Sequence, residues 1–565
     1  MNPITPEQMA EIDALLGTSR EVVRVAPSEV VAFGPSDGIE RFSRELAGWQ
    51  PALVSADLDI LPHKSMNDAR SRDLAANDAY VQAGQTIHKD SIVGTFYTLN
   101  AKPNIRVLGM DETWAEEFQE EVEAYFTLWA DSPKKWVDAA GQNDFTSMLR
   151  LCVGIAAFQN EILATGEWLR DGGRPFHTAI QMIDTDRLCN PHYVLDDGVI
   201  RGGIKHDQFG RHVSYFIRVA HPNDYRYSVD LSRYREVPAE KPWGRQQVIF
   251  IREQGRVDQT RAVGDIVAGL REIAITRQFR DVTLQNAVAG AIVAATIESE
   301  HPPEVVFAQL GGNSGSTPTE AMMDYNLSYM EQLAAYSKAA RGLTIDGGRI
   351  PHLYPGTKLK MTPASTPGGV GQDFEKSLLR YAAATLGVSY EELSRDFSST
   401  NYSSARAAMA GTGRYMASRK KFFADGMANA IYRLWLEEAV NQGLLSTFPK
   451  RKASMLYQNG YLGLMFDALS AADWIGSSRG QIYELKETQA AVLRIKYGLS
   501  THEDETGRLG KDWRKVNAQI EREMKDREAR GIVLLEGESV NAASGSPREQ
   551  TTDQEAGGKG KTDDA

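Results

Sequence analysis

Large apolar residues recur every fourth position at Trp114, Phe118, Val122 and Phe126, which predicts a helix over 111–130 with one face to the core. Asp111 is placed to cap it, with acids in its first turn. The polar, Ala-rich run Ser65–Ala83 reads as a helix, Ile87–Leu99 as a strand, and Asp144–Thr165 as a helix ended by Gly166. From 174 to 253 the pattern changes to alternation. Two alternating runs flank Asp207-Gln-Phe-Gly210, the signature of a hairpin, and Gln247–Arg252 is a short apolar strand.

Thr260–Glu300 then reads as one helix of about 60 Å at 1.5 Å per residue. Its second half, Ala287–Ile297, is apolar on every side and built of small residues. That suits a core helix, or one packed closely against copies of itself. His301-Pro-Pro ends it. A strand (304–310), a Gly/Ser linker (311–319), a helix (Glu320–Ala340) and a Gly/Pro-punctuated strand segment follow, so a small αβ unit is carried between two helices. Gln372–Leu386 is an amphipathic helix stopped by Gly387, and Ser389-Tyr-Glu-Glu392 is a capping box. After the polar loop 394–402, Ser403 or Ser404 is expected to cap a long helix reaching Gln442, with Gly443 beyond it and Gly411 and Gly413 as places to bend. Helices near Arg479–Tyr497 and Glu503–Arg530 complete the pattern. The first 50 residues are mixed and punctuated by Pro and Gly and are expected to be loosely ordered, and the tail from Asn541, almost free of large apolar residues, is expected to be disordered.

Composition sharpens this picture. A chain of 565 residues carrying 63 Lys+Arg against 75 Asp+Glu has a formal charge of -12, which argues against a protein that clamps nucleic acid by its phosphates. Two cysteines, Cys152 and Cys189, exclude a disulfide scaffold and favour a reducing compartment. The N-terminus has no secretory-signal pattern, and the apolar run Ala287–Ile297 is too short to span a bilayer, so no membrane partner is expected.

Candidate chemistry is sparse. His206, Asp207 and His212 flank the hairpin turn without further ligands, and His177, His192 and His221 are scattered, so no metal site is expected. The Gly-rich stretch 311–317 lacks the Lys-Ser/Thr of a phosphate loop, and no nucleophile elbow occurs. Cys152 lies in an apolar run and reads as a core thiol. Asp184 and Asp186, before Arg187, read as a turn with an ion pair. Arg414, Arg419, Lys420 and Lys421 read as a solvated charged face of the long helix, Arg395–Tyr402 as a hydrogen-bonding loop, and Lys358 and Lys360 as a partner surface or edge protection. No catalytic residue or cofactor site emerges. Readings from other classes are a metal-dependent nuclease or phosphoesterase, and a monomeric scaffold or adaptor.

Several stretches carry a family resemblance: RSRDLAANDAYVQAGQTIHKDSIVG (70–94), IDTDRLCNP with GIKHDQFGRHVSYFI, Val257–Arg261, AIVAATIESE (291–300), IPHLYPGTKLKM, and above all FEKSLLRYAAATLGVSYEELSRDFSSTNYSSARAAM (374–409). Over residues 60 to 530 the chain resembles portal proteins of lambda-type tailed bacteriophages. The resemblance implies an α+β, mainly helical fold of wing, stem, clip and crown, assembling into a ring, usually twelve-fold, around a central channel. By position the wing is 51–258, the stem helices 259–300 and 371–387 with the clip 301–370 between them, the tunnel loop 388–403, the long tunnel helix and wing return 404–469, and the crown 470–535. The implied role is mechanical. Double-stranded DNA is packaged and ejected through the ring, which sits in the virion at one capsid vertex after assembly in the host cytoplasm. The implied partners are further copies, the terminase large subunit, major capsid and scaffolding proteins, and head-completion connectors. Arg395, Ser398, Ser399, Thr400, Asn401 and Tyr402 are then expected to face DNA, and Lys358 and Lys360 to dock terminase or connectors. The negative charge suits a passage through which DNA must slide, since each neutralised phosphate adds grip.

Overall fold

The computed structural model describes residues 51–191, 194–222, 233–292, 327, 330–331, 344–345, 348–349, 370–398, 400–478 and 484–532. The N-terminal segment, the apolar stretch beyond Ile292, Glu320–Ala340 apart from three residues, Lys358, Lys360 and the tail therefore lie outside the described residues or nearly so.

Helix α1 (Ala56–Asn77) starts nine residues before the sequence expectation, because Ser55 caps it by accepting from the Leu58 amide. Helix α2 (Ala79–Ile92) replaces the expected strand; only Thr98–Ala101 is extended, as β1. Asp78 caps α2 through the Tyr80 and Val81 amides, and its buried residues Val81, Gly84, His88 and Ile92 follow helical spacing. Gly84 and His88 do not register as apolar, so the period is hidden in the sequence. Helix α3 (Glu112–Ala130) has the predicted cap and core face. Helix α4 (Phe145–Gln159) ends earlier than expected, at left-handed Asn160, and the chain reverses into β2 (Glu161–Trp168). Gly166 lies inside that strand, where the Leu434 side chain leaves no room for a larger residue.

Strands β2, β3 (Thr178–Ile183) and, later in the chain, β8 (Val248–Arg252) form an antiparallel sheet with β2 central. Strands β4 (Ile200–Arg201), β5 (Ile204–His206), β6 (His212–Arg218) and β7 (Tyr234–Pro238) form a meander, with the predicted hairpin at 207–211. A small apolar cluster of Leu163, Ile183, Leu188, Ile204, Tyr215 and Ile217 joins the two sheets. A 3₁₀ turn, Asp265–Gly269, then leads into α5 (Leu270–Ile292).

Helix α6 (Val370–Thr385), the short α7 (Tyr390–Ser394), α8 (Tyr402–Arg419) and α9 (Asp425–Gln442) follow. The expected long helix is real, but its cap is Asn401, and its irregularity is a π turn at Lys420–Ala424 rather than a break at Gly411 or Gly413. Strand β9 (Ala472–Ile475) returns to pair with β1. Helix α10 (Glu484–Lys496) forms where the sequence predicts one, and the expected charged helix divides into α11 (His502–Arg508) and α12 (Trp513–Arg530), split where Asp512 caps a new helix.

The main core lies between α3, α4 and α9. Phe126 sits at its centre, with ring centroids 5.3 Å from Phe145, 5.7 Å from Tyr432 and 5.3 Å from Trp435. A second anchor is ionic. The fully buried Glu161 accepts from Arg261 at 2.6 and 3.1 Å and from the Ala262 amide at 3.1 Å, with the Lys64 ammonium also 3.1 Å away. Burial opposes its ionisation, but Arg261 and Lys64 outweigh that and hold its pKa down to about 2. Asp57 takes the Thr260 amide and hydroxyl at 2.7 Å each. The chain just before α5 is thus tied to α1 and β2.

Candidate functional site

The site begins where α5 and α6 leave the body. Gly269 meets Thr385, and ten residues further along α5 Phe279 meets Phe374 at 5.7 Å and Arg280 donates to Glu375 at 2.7 Å. Rising numbers on one helix face falling numbers on the other, so the pair is antiparallel and residues 293–369 are inserted between its ends. This base is tightly fitted. A Cβ on Gly264 would lie 1.5 Å from the Phe158 carbonyl oxygen. Gly387 has φ +65° beneath the Tyr415 ring, as a helix stop requires. The buried His88 imidazole bonds through Nε2 to the Leu386 carbonyl at 2.8 Å. A carbonyl only accepts, so Nε2 carries the proton. Burial holds this imidazole neutral, with its pKa lowered to about 4.

The loop between α7 and α8 is pinned at both ends. The predicted capping box forms: Ser389 Oγ accepts from the Glu392 amide, and Glu392 accepts from the Ser389 amide. The Thr412 hydroxyl of α8 donates to the same carboxylate at 2.6 Å. Arg395 is exposed and left-handed at φ 56°. The Ser398 hydroxyl and amide both donate to Asp396, at 2.6 and 3.0 Å, and hold its carboxyl below the usual range. Thr400 is half-buried and donates to Glu391 at 3.3 Å. Asn401 is exposed but accepts the Ser404 amide at 2.8 Å as the cap of α8. Tyr402 opens α8, and Ser399 lies outside the described residues. Of the expected loop residues, Arg395 presents an open side chain, while Ser398, Thr400 and Asn401 also hold the loop together.

The basic cluster on the long helix does not form one solvated face. Arg419 is buried, ion-paired to Glu253 and, at 3.1 Å, to Asp265, and bonded to Asn160 and the Ala156 carbonyl. Lys420 turns inward to Asp425 and the Trp474 carbonyl, at 3.0 and 2.9 Å. Arg414 and Lys421 remain exposed, and Arg406 shares their side of the helix. Helical phase is the signal that sorts them: 406, 414 and 421 fall on one stripe and 419 on the opposite one.

The other candidates resolve as follows. His206 and His212 do pair across the hairpin, but Asp207 is taken by the Phe209 and Arg211 amides. Burial, then Arg252, lowers His212 to about 4, and Arg252 lies 3.1 Å from its Nε2. Asp184 and Asp186 form the expected turn, but their ion-pair partner is Arg72 of α1, and Asp186 is also hydrogen-bonded to the His221 ring. Arg187 instead donates to the carbonyls of Arg218 and Val219. Asp184, Asp186 and His221 could reach one ion together, a grouping that their separation in the chain hides, yet Arg72 already pairs with both carboxylates. Cys152 is a buried core thiol pushed up to about 12 by desolvation. No described helix is long and apolar enough to cross a membrane.

Comparison with known proteins identifies a family. The family described as phage portal protein, lambda family, covers residues 42–420. The portal protein of Escherichia phage N15 is 34% identical over 492 residues, covering 87% of this chain and 90% of the relative. Portal protein B of Escherichia phage lambda is 33% identical over 499 residues, covering 88% and 91%. Among solved structures, the neck of an empty gene transfer agent particle, computed with C6 symmetry, aligns with 78% of this chain and 93% of its own at 12% identity and a TM-score of 0.35. The last likeness is too distant to add weight, and the assignment rests on the sequence relatives. Their family is structural, not enzymatic, which removes the nuclease or phosphoesterase alternative. This chain belongs to the lambda family of phage portal proteins.

Proposed function

We propose that the chain is one subunit of a ring, twelve-fold by expectation, at one capsid vertex of the virion. Double-stranded DNA enters and leaves through the ring, and terminase and head-completion proteins dock on it. The observation that carries the subunit plan is the antiparallel α5–α6 pair with residues 293–369 inserted between its ends. Such a pair suits a stem with a clip at its far end. Under this reading 51–258 is the wing, 388–403 the tunnel loop and 470–535 the crown. Arg395, Ser398, Ser399, Thr400, Asn401 and Tyr402 line the passage, and Lys358 and Lys360 belong to the docking surface.

Self-association is supported by α10. Its Leu485, Val492 and Leu493 are more than half exposed and none of its residues is buried among the described residues, so its apolar side is open to a neighbouring copy. Electron microscopy of the purified full chain tests the proposal. Rings with a central hole are expected; a stable 62.4 kDa monomer that never assembles would overturn it.

A further inference from the structure

Phe397–Ala424 contains no Asp or Glu, in a chain with 75 acidic residues among 565. This stretch builds α8. One exposed stripe of it reads Ser403, Arg406, Ala410, Arg414, Ala417 and, just past the helix, Lys421, at spacings of three and four that keep them on one side. The opposite side, with Thr412, Tyr415 and Arg419, is packed on the body. Arg406 and Arg414 have no carboxylate partner among the described residues, and Lys421 reaches only Asp425, at 3.6 Å. On α12, by contrast, Lys525, Arg527 and Arg530 each hold an acid one turn earlier.

We infer that this stripe is a phosphate-contacting rail for duplex DNA, with Arg406, Arg414 and Lys421 as the residues that meet the phosphates. The inference rests on the channel reading above and names the residues that would touch the backbone. Three considerations favour DNA over a second copy of the chain. Between its cations the stripe carries only Ser and Ala, so it offers none of the large apolar or aromatic anchors that protein interfaces centre on. Arg, Lys and Ser are the side chains that hold phosphate, and small neighbours let a backbone come close. The charges are also spread thinly, three over about 22 Å of helix. Each subunit would touch few phosphates, and none of those interactions depends on base sequence, so DNA is guided without being held fast. The stripe begins directly after the loop that ends at Asn401.

The test uses the assembled full chain and mixed-sequence duplex DNA, comparing the parent with R406A/R414A/K421A and with the charge-keeping R406K/R414K. Equilibrium binding is measured across salt concentration, with ring assembly imaged in parallel. The alanine variant is expected to form normal rings, bind DNA more weakly, and show a log–log salt slope shallower by about 1 for each phosphate no longer neutralised. The lysine variant is expected to keep the parent slope. Unchanged affinity and slope in intact alanine-variant rings would overturn the inference. So would loss of rings in that variant alone, which would make the stripe a subunit interface. A parent that assembles no ring would instead overturn the channel reading, and this inference with it.

Discussion

At the residue scale, burial separates groups that look alike in the sequence. Arg414 and Arg419 belong to one basic run, yet Arg419 sits among Glu253, Asp265 and Asn160 while Arg414 is exposed. Without Arg419 the buried Asn160 side-chain oxygen loses its donor and the Ala156 carbonyl loses one, at roughly 1–3 kcal/mol for an acceptor left unpaired, whereas an exposed side chain changes stability by about 0.5 kcal/mol or less. Arg419→Ala is therefore expected to lower the urea midpoint strongly and Arg414→Ala hardly at all. Glu161→Gln should fall in the costly class too, since it leaves Arg261 and Lys64 facing a neutral amide. His88 adds a pH dependence. Its folded pKa is about 4, below the ordinary 6.5, so the unfolded chain binds the extra proton between those values. The stability it contributes is complete above pH 6.5 and is lost as pH falls toward 4, on the order of 3 kcal/mol. A Gln at 88 can still donate to the Leu386 carbonyl but does not titrate. Denaturation midpoints of H88Q should thus fall less steeply than the parent's over that window.

At the element scale, the joint beneath α5 and α6 depends on two glycines for different reasons. Gly264 needs space against the Phe158 carbonyl, and Gly387 needs both its left-handed φ and the room under Tyr415. Gly387→Ala is expected to cost roughly 1–3 kcal/mol from strain alone. Gly264→Ala should cost more, because backbone rather than a side-chain tip must move. Thermal unfolding of the two variants would show the order, and an equal, small effect would mean that the joint is looser than drawn. The capping box at Ser389, the stop at Gly387 and the Gly443 cap are all legible in the sequence, because capping chemistry is local and needs only neighbouring residues. Helix α2 is not. Its period runs through a glycine that admits Leu386 and a histidine made acceptable to the core by the Leu386 carbonyl, two facts that exist only after packing.

At the scale of the whole molecule, the proposed ring gives the exposed apolar side of α10 a role in assembly rather than in subunit folding. Because no residue of α10 is buried among the described residues, L485E/L493E should leave helical content and subunit stability nearly unchanged while abolishing rings. Circular dichroism and size-exclusion chromatography together check this. Intact rings from that variant would move the interface elsewhere. The formal charge of -12 has a similar lesson. As a total it counts against a nucleic-acid grip, but the total hides an acid-free stretch whose open stripe carries three cations.

By its sequence alone this protein shows a mainly helical α+β chain, its principal helices and their caps, an insert between two helices, and a portal family. Those properties are set by periodicity, local hydrogen bonding and residue identity, all of which are written along the chain. Tertiary structure alone decided which members of the basic run face solvent, which partner Asp186 takes, where the chain before α5 is tied by Glu161 and Arg261, and why a histidine can sit in a core helix. In each case the deciding contact joins residues far apart in number, and the free energy of a charge or an imidazole depends on the partners that folding brings to it.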